Sequence, residues 1–294
     1  MPSKVAGKSG LTILHAKQLV RLPWLIHGFS TRSGGCSSAY GGASLNLGFT
    51  RHDPKSAVES NRAVFLEKLG AVGAKGKSWP LVTLRQVHSD IIHCVTGPTE
   101  SPLTGDGLIT ATRGLVLAVQ TADCIPIILV DPKLRAIGVF HAGWRGTLRR
   151  IVQKAVGEMR LRFASEPRHL KAAIGPGIHG CCYEVGVEVK EKFASQFSYA
   201  AELFRETKEA DPVRDKYPLL FLSARPPGHT ELLPKLFLDL VKANRRQLID
   251  AGVPAKNIEA LPLCTSCRVD LLFSYRAEKG VTGRMLGAVG IRAG

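Results

Sequence analysis

Short apolar runs rich in β-branched residues recur along the chain, and polar residues, glycine or proline bound each of them. The clearest runs cover residues 115–120, 125–130 and 136–140. Continuous apolar runs of this length are typical of strands that are buried on both faces of a sheet. The same pattern predicts further strands at 26–30, 81–84, 91–95, 170–175, 258–263 and 285–291.

Amphipathic segments between these runs predict helices. After Asp53-Pro54, apolar residues return at helical spacing and predict a helix over 54–69. Other helices are predicted over 147–159, 188–197 and 236–251. The segment 205–229 is charged and contains four prolines that exclude a continuous helix, so we expect a long surface excursion there.

Strands and helices thus alternate without an internal repeat. The 294 residues are 45% hydrophobic and 22% charged, which is enough to bury a large core. The pattern predicts a single α/β domain over 11–294, with a mixed, largely antiparallel sheet core and helices packed outside.

The first ten residues are basic and rich in small side chains, and they predict a flexible tail over 1–10. They lack the apolar core of a signal peptide. No run approaches the roughly 18 apolar residues of a membrane span. We therefore expect a cytoplasmic protein that has no membrane partner.

The formal net charge is +16, which raises the question of a nucleic-acid partner. The basic residues are scattered, aromatic residues make up only 6%, and no predicted helix carries a basic stripe interleaved with stacking side chains. We therefore expect no specific nucleic-acid binding. A basic field would still attract anionic substrates such as phosphate.

Metal-binding residue types stand at the ends of predicted strands. Cys124 precedes the run 125–130, and His141 follows the run 136–140. Antiparallel pairing can bring such a thiol and imidazole together, and both are ligands that zinc prefers. His88 also follows a strand-like segment and is the best third ligand. Two His and one Cys leave a fourth position open, as in catalytic zinc sites. Spacing alone leaves the alternative open that these are ordinary buried or surface residues.

The seven cysteines are an odd number in a chain without a secretion signal, which favours reduced thiols. Cys264-Thr265-Ser266-Cys267 has the spacing of half a zinc knuckle, but the chain contains no second CxxC motif. We interpret Cys264 and Cys267 as buried thiols, with a structural zinc site as the less favoured alternative.

Asp106 stands between two glycines and has two interpretations. It could orient a ligand histidine from behind through a hydrogen bond. Aspartate is also common in turns, and the turn interpretation is favoured.

Five motifs occur in order over nearly the whole chain: SLNLG at 44–48, RQVH at 85–88, TADC at 121–124, HAGWRG at 141–146 and SYR at 274–276. Together they resemble a bacterial family variously called laccase-domain, polyphenol oxidase or purine nucleoside phosphorylase proteins, which also includes the peptidoglycan editing factor. The resemblance implies a layered α-β-β-α sandwich. It also implies that His88, Cys124 and His141 are the catalytic residues and bind zinc.

The activity that the resemblance implies is that of a zinc-dependent purine nucleoside phosphorylase, which also cleaves methylthioadenosine and deaminates adenosine. Its partners are then purine nucleosides and phosphate; the oligomeric state is left open. The alternative is a cell-wall editing enzyme that acts on peptidoglycan precursors carrying the wrong amino acid, with Cys124 as a nucleophile activated by His141. A binding module without catalysis is disfavoured, because an open metal position would serve no purpose in it.

Copper is the less favoured metal, and a copper-dependent polyphenol oxidase is the less favoured enzyme. None of the nine histidines occurs in a His-x-His pair, and only three methionines are available as axial ligands.

Substrate-binding residues are expected from the same motifs. The Gly- and Ser-rich segment that carries Arg32 and Asn46 corresponds to part of the family's substrate pocket, and both side chains are able to bond a ligand. Gln86 stands two residues before His88 and is a further candidate. Arg145 and Arg276 are candidates for holding phosphate, because guanidinium groups bind phosphate in two-pronged contacts.

Overall fold

The structure, a computed structural model, describes residues 10–73, 76–207, 212–221 and 234–293. These residues fall into two compact units, one within Met1–His179 and Leu240–Gly294 and the other within Gly180–Asp239. The predicted tail lies outside the described residues apart from residue 10. A single domain over 11–294 stays a prediction.

In the described residues the strands, numbered in chain order, are β1 Ile13–Leu14, β2 Leu25–Ser30, β3 Ser33–Ser37, β4 Leu81–Val82, β5 Leu84–Arg85, β6 Ile92–Cys94, β7 Leu103–Thr104, β8 Gly107–Thr110, β9 Val116–Thr121, β10 Ile125–Asp131, β11 Ala136–Ala142, β12 Lys171–Ile174, β13 Glu184–Val185, β14 Phe204–Thr207, β15 Lys235–Leu238, β16 Ile258–Ala260 and β17 Met285–Ile291. The α-helices of the same residues are α1 Lys17–Val20, α2 Lys55–Leu69, α3 Trp144–Leu148, α4 Ile151–Phe163, α5 Val187–Ala194, α6 Pro212–Lys216 and α7 Leu240–Asp250.

Two large sheets and the two-stranded parallel sheet β5-β7 lie in the larger unit. The first sheet has the strand order β1-β2-β17-β9-β4, and the second has the order β16-β12-β10-β11-β8-β6. Most neighbours are antiparallel, while β4 with β9, β12 with β16, and β6 with β8 are parallel. The smaller unit contains the antiparallel sheet β13-β15-β14. The mixed, largely antiparallel α/β class that the sequence predicts is therefore confirmed.

The alternation of side chains along β9 explains the layering of the larger unit, because successive residues of a strand point to opposite faces. Leu117 and Val119 pack in one core with Val130 and Val139 of the second sheet. Neighbouring residues of β9 pack in another core, on the other face, with residues of α2. On the second sheet, α4 contacts β11 and α7 contacts β16. The larger unit thus has the predicted α-β-β-α order.

Two predicted helices differ from the structure. The segment 236–251 is not one helix, because Lys235–Leu238 pairs as β15 with β13 and β14 and only Leu240–Asp250 is helical. Leu236 and Leu238 are both buried, and their spacing of two suits a strand. The helix predicted over 147–159 is interrupted at Arg150, whose φ of 62° is left-handed and separates α3 from α4.

The predicted surface excursion at 205–229 is described only in part. It contains most of β14, α6 and a short 3₁₀ turn at Pro218–Phe221. Among the described residues, no helix combines the length and the apolar character that crossing a membrane requires.

Cys264 and Cys267 differ in exposure. Cys264 is buried, and its backbone forms an isolated parallel β-bridge with Gly177. Cys267 is exposed in the turn that follows. The interpretation as buried thiols therefore holds for Cys264 and is wrong for Cys267.

A buried histidine in the first sheet makes stability depend on pH. His27, on β2, is 4% exposed, and its Nε2 accepts a hydrogen bond of 3.1 Å from the backbone N–H of Ala16. Burial, aided by the charge of His15, lowers the pKa of His27 to about 4. Because the unfolded chain takes up this proton near pH 6.5 and the folded chain does not, stability is lost as the pH falls from 6.5 towards 4.

We expect this one residue to cost the protein about 2 kcal/mol of unfolding free energy between pH 7 and pH 5. His27→Gln keeps a hydrogen-bond acceptor but does not titrate. Urea unfolding at the two pH values should therefore give a smaller pH-dependent loss for His27→Gln than for the parent. An equal loss in both proteins would assign the acid sensitivity to other groups.

Candidate metal centre

The pairing of β10 with β11 brings Cys124 beside His141. Pro126 is opposite His141 in the antiparallel register, and Ile125 is opposite Ala142. Cys124 immediately precedes β10, so it extends towards the segment after β11. The two ligand types therefore meet at one end of the second sheet, as their strand-end positions predict.

His88 reaches this point from a strained turn after β5. Its φ is 57°, in the left-handed region that non-glycine residues seldom adopt. The backbone N–H groups of Val87, His88 and Ser89 all donate to the carboxylate of Asp106, at 3.2, 3.1 and 2.6 Å. One buried carboxylate thus holds the turn in its strained form.

The three ligand side chains converge. One ligand atom from each of His88, Cys124 and His141 lies within 4.8 Å of the other two. The two imidazole rings pack edge to face, with centroids 4.9 Å apart. A Cβ on Gly143 would lie 2.9 Å from Cys124 Sγ and 3.1 Å from His88 Cδ2, so only glycine leaves the ligands in place.

Asp106 also fixes the orientation of His141. The Nδ1–H of His141 donates to Asp106 Oδ1 at 2.8 Å, and the backbone N–H of His141 donates to the Asp106 carbonyl, also at 2.8 Å. Burial opposes the charged form of this carboxylate, but the bonds from His141 and Ser89 prevail and lower its pKa to about 2. His141 is left with Nε2 to face the other ligands. Asp106 therefore has both roles, whereas the sequence favoured the turn role alone.

The surroundings of Cys124 favour its thiolate, the form in which cysteine binds metal ions. Burial alone raises its pKa, but the charge of His141 and hydrogen bonds from both histidines outweigh burial, so the pKa of Cys124 is lowered. Burial alone lowers the pKa of His141, and Cys124 and Asp106 together raise it. A thiolate and two imidazoles within reach of one point form a donor set that fits a divalent metal ion.

Asp123 joins the cysteine to the C-terminal part of the larger unit. Its φ is 95°, and its buried carboxylate accepts hydrogen bonds from Thr265 Oγ1 at 2.6 Å, Ser274 Oγ at 2.7 Å and the backbone N–H of Arg276 at 2.7 Å. The turn 274–276 is thereby tied to the residue next to Cys124. The role of Asp123 was missed, because its partners lie more than 140 positions away in the chain.

Asn46 and Gln86, which were predicted to bind substrate, form hydrogen bonds with other residues of the protein. Asn46 is fully buried, and its side chain bonds to Gly48, Asp53 and the backbone of Arg284. Gln86 exchanges two hydrogen bonds with the backbone of Gln120, at 2.7 and 2.8 Å.

Arg32 is engaged in the same way. Its guanidinium bonds to the carbonyls of Val269 and Tyr40, forms an ion pair with Glu278 at 3.1 Å and lies over the ring of Phe273. In this structure it ties the segment after β2 to the segment 269–278.

The two predicted phosphate ligands have exposed side chains. Arg145, in α3, follows two residues after Gly143, and its guanidinium lies 4.6 Å from the centroid of the Trp144 ring. Arg276 has its backbone bonded to Asp123. Both therefore stand within a few residues of groups that contact the metal ligands.

Comparison with known proteins identifies the family to which the chain belongs. Residues 26–292 match the family described as multi-copper polyphenol oxidoreductase laccase. The chain belongs to this family. A purine nucleoside phosphorylase of Deinococcus radiodurans is 36% identical over 284 residues, which are 96% of this chain and 94% of that protein.

Two further proteins to which the chain is similar are informative. Adenosine deaminase RL5, from an unknown prokaryotic organism, is 39% identical over 178 residues, which are 60% of this chain and 59% of that protein. The crystal structure of the hypothetical protein YfiH from Bacillus licheniformis superposes on this chain with a TM-score of 0.79. The two sequences are 30% identical, and the match covers 97% of this chain and 98% of that one. The laccase family thus includes proteins named as enzymes of purine nucleosides.

Proposed function

We propose that this protein is a zinc-dependent purine nucleoside phosphorylase that also deaminates adenosine and cleaves methylthioadenosine. The observation that carries the proposal is the convergence of His88, Cys124 and His141, with Asp106 behind His141, in a chain whose relatives are named for purine nucleosides. The cytoplasmic location stays a prediction.

Zinc suits the donor set better than copper does. The site offers one thiolate and two imidazoles, and catalytic zinc sites have three such protein ligands and leave the fourth position to water or substrate. When bound, zinc supplies a Lewis acid that polarises a water molecule or a substrate oxygen. The protein's own contribution is to hold the ligands in place: Asp106 fixes His141 and the turn at His88, and Gly143 leaves space beside Cys124.

In phosphorolysis a phosphate oxygen forms a bond to C1′ of the ribose while the bond from C1′ to the purine nitrogen breaks. The electron pair of the broken bond leaves with the base. We infer that Arg276 and Arg145 hold the phosphate, because both residues are exposed, Arg276 is bonded through its backbone to the neighbour of Cys124, and Arg145 follows Gly143 by two residues. Arg32, Asn46 and Gln86 then act by holding the surrounding loops.

The direct test is to incubate the purified protein with inosine, adenosine or methylthioadenosine, with and without phosphate. Free base and ribose 1-phosphate, or the methylthio derivative of that sugar, should appear only with phosphate, and ammonia should appear with adenosine even without phosphate. A protein that contains zinc and releases neither base nor ammonia would contradict the proposal.

The editing of peptidoglycan precursors stays the alternative prediction. It is distinguished by metal analysis of protein purified without added zinc, together with alkylation of thiols. Alkylation of Cys124 that is blocked until a chelator is added supports a metal ligand. Rapid alkylation of metal-free protein as purified supports a free nucleophile.

Arg276→Lys tests the phosphate role. Lysine keeps the charge but loses the planar two-pronged contact, so we expect phosphate-dependent cleavage to lose about 1–3 kcal/mol of transition-state binding. Deamination of adenosine, which uses no phosphate, and the zinc content should both stay as in the parent. A variant that shows the parent's dependence on phosphate concentration would place the anion site elsewhere.

A further inference from the structure

A buried network ties the backbone around an exposed tyrosine to the residue that precedes Cys124. Tyr275 lies between Ser274 and Arg276, and both of these neighbours bond to the carboxylate of Asp123. Asp123 in turn precedes the ligand Cys124. The backbone on both sides of Tyr275 is thus fixed relative to a metal ligand.

The ring of Tyr275 contacts neighbouring residues and is also exposed to solvent. Tyr275 is 54% exposed. The guanidinium carbon of Arg284 lies 5.7 Å from the centroid of its ring, and Arg284 is itself held by the carbonyls of Thr282 and Gly283 at 3.0 Å. A Cβ on Gly280, whose φ is +90°, would lie 3.4 Å from the phenol oxygen, so the chain passes close beside the ring. A single exposed tyrosine is ordinary, but one whose two neighbours in the chain are bonded to the residue before Cys124 offers an aromatic face on a fixed backbone.

We propose that Tyr275 is the residue on which the purine base of the substrate stacks. This inference rests on the proposed function. Every purine offers an aromatic face, and stacking on tyrosine recognises that face without a specific hydrogen bond. The neighbouring Arg276 would hold phosphate, so adjacent residues of one fixed turn supply a surface for the base and a charge for the anion. The ribose then lies between them.

The test compares Tyr275→Ala, Tyr275→Phe and Tyr217→Ala with the parent. Tyr217 is a matched control, because it is 49% exposed and lies in the other compact unit. For Tyr275→Ala we expect the KM for inosine to rise about tenfold to one-hundredfold, which corresponds to the usual strength of stacking between a base and an aromatic side chain. The KM for phosphate and the zinc content should not change, because the bonds to Asp123 use Ser274 Oγ and the Arg276 backbone. Tyr275→Phe and Tyr217→Ala should behave as the parent does.

Calorimetric titration of inosine into the parent and Tyr275→Ala, without phosphate, separates this inference from the proposed function. If Tyr275→Ala binds inosine more weakly than the parent does, the stacking role is supported, whether or not the parent cleaves inosine. If the parent binds inosine but does not cleave it, the proposed reaction fails while the purine-binding site is retained. Equal inosine affinity and equal KM in the two proteins overturn the inference, and cleavage by both would leave the proposed function intact. A rise in KM that Tyr275→Phe shares equally would also overturn it, since the ring would then not be what matters.

Discussion

Cys124→Ala protein should purify with most of its zinc missing and with phosphorolysis reduced about a thousandfold or more. Cys124 is the anionic member of the three ligands, because His141 and His88 stabilise its thiolate. Without it, two neutral imidazoles remain, and they bind zinc far more weakly than a site that includes a thiolate. Losing a Lewis acid removes several kcal/mol of transition-state stabilisation, and each 1.36 kcal/mol is tenfold in rate.

The measurements are metal content by mass spectrometry and release of base from inosine. Cys94→Ala is a matched control, since Cys94 is an exposed thiol on β6 of the same sheet. We expect that control to keep its zinc and its activity. Circular dichroism should show that both variants fold. Full zinc occupancy in folded Cys124→Ala protein would remove Cys124 from the ligand set.

The convergence of the proposed ligands could be predicted from sequence, because Cys124 and His141 interrupt an otherwise apolar pattern. Cys124 and His141 stand at the ends of two runs that form β10 and β11, and a short antiparallel connection makes their approach a local event. His88 was predicted as the third ligand because it too follows a strand-like segment, and the resemblance to a family implies the same three ligands. Where two apolar strands are clear in the sequence and the connection between them is short, polar residues at their ends can be predicted to lie close together in the fold.

The supporting residues could not be predicted in the same way. The bonds that Asp123 makes to Thr265 and Ser274 join segments that are distant in the chain, and no local pattern marks them. The segment at 236 was misassigned for a related reason. Leu236, Phe237 and Leu238 form a short continuous apolar run, which does not distinguish a strand from the start of the following helix, and the pairing of this run with β13 and β14 makes it a strand. Pairing between segments that are distant in the chain therefore determines the secondary structure that a short apolar pattern does not specify.

Asp106 is the supporting residue whose loss should matter most. It is fully buried, and its carboxylate accepts from three backbone N–H groups of the turn 87–89, from Ser89 Oγ at 2.7 Å and from His141 Nδ1 at 2.8 Å. Asparagine has nearly the same shape but replaces one acceptor oxygen with a donor. In Asp106→Asn an N–H₂ group must therefore face N–H or O–H donors, whichever way the amide is turned.

We expect Asp106→Asn to lower the free energy of unfolding by about 3–5 kcal/mol, the usual cost of breaking a buried charged pair. We also expect it to weaken zinc binding about tenfold to one-hundredfold, because His141 loses the partner that orients its ring and the strained turn at His88 loses its anchor. Urea unfolding measures the first effect, and competition with a zinc chelator measures the second.

Asp131→Asn separates the two roles of this aspartate. Asp131 is also buried, and its Oδ1 accepts from the backbone N–H groups of Lys133 and Leu134 in the turn between β10 and β11. It is thus a turn aspartate with no metal ligand among these partners, and its variant should lose some stability while it binds zinc as the parent does. Should Asp106→Asn likewise lose stability and keep the parent's zinc affinity, Asp106 would be a turn residue only. The orientation of His141 would then have to come from the backbone of β11.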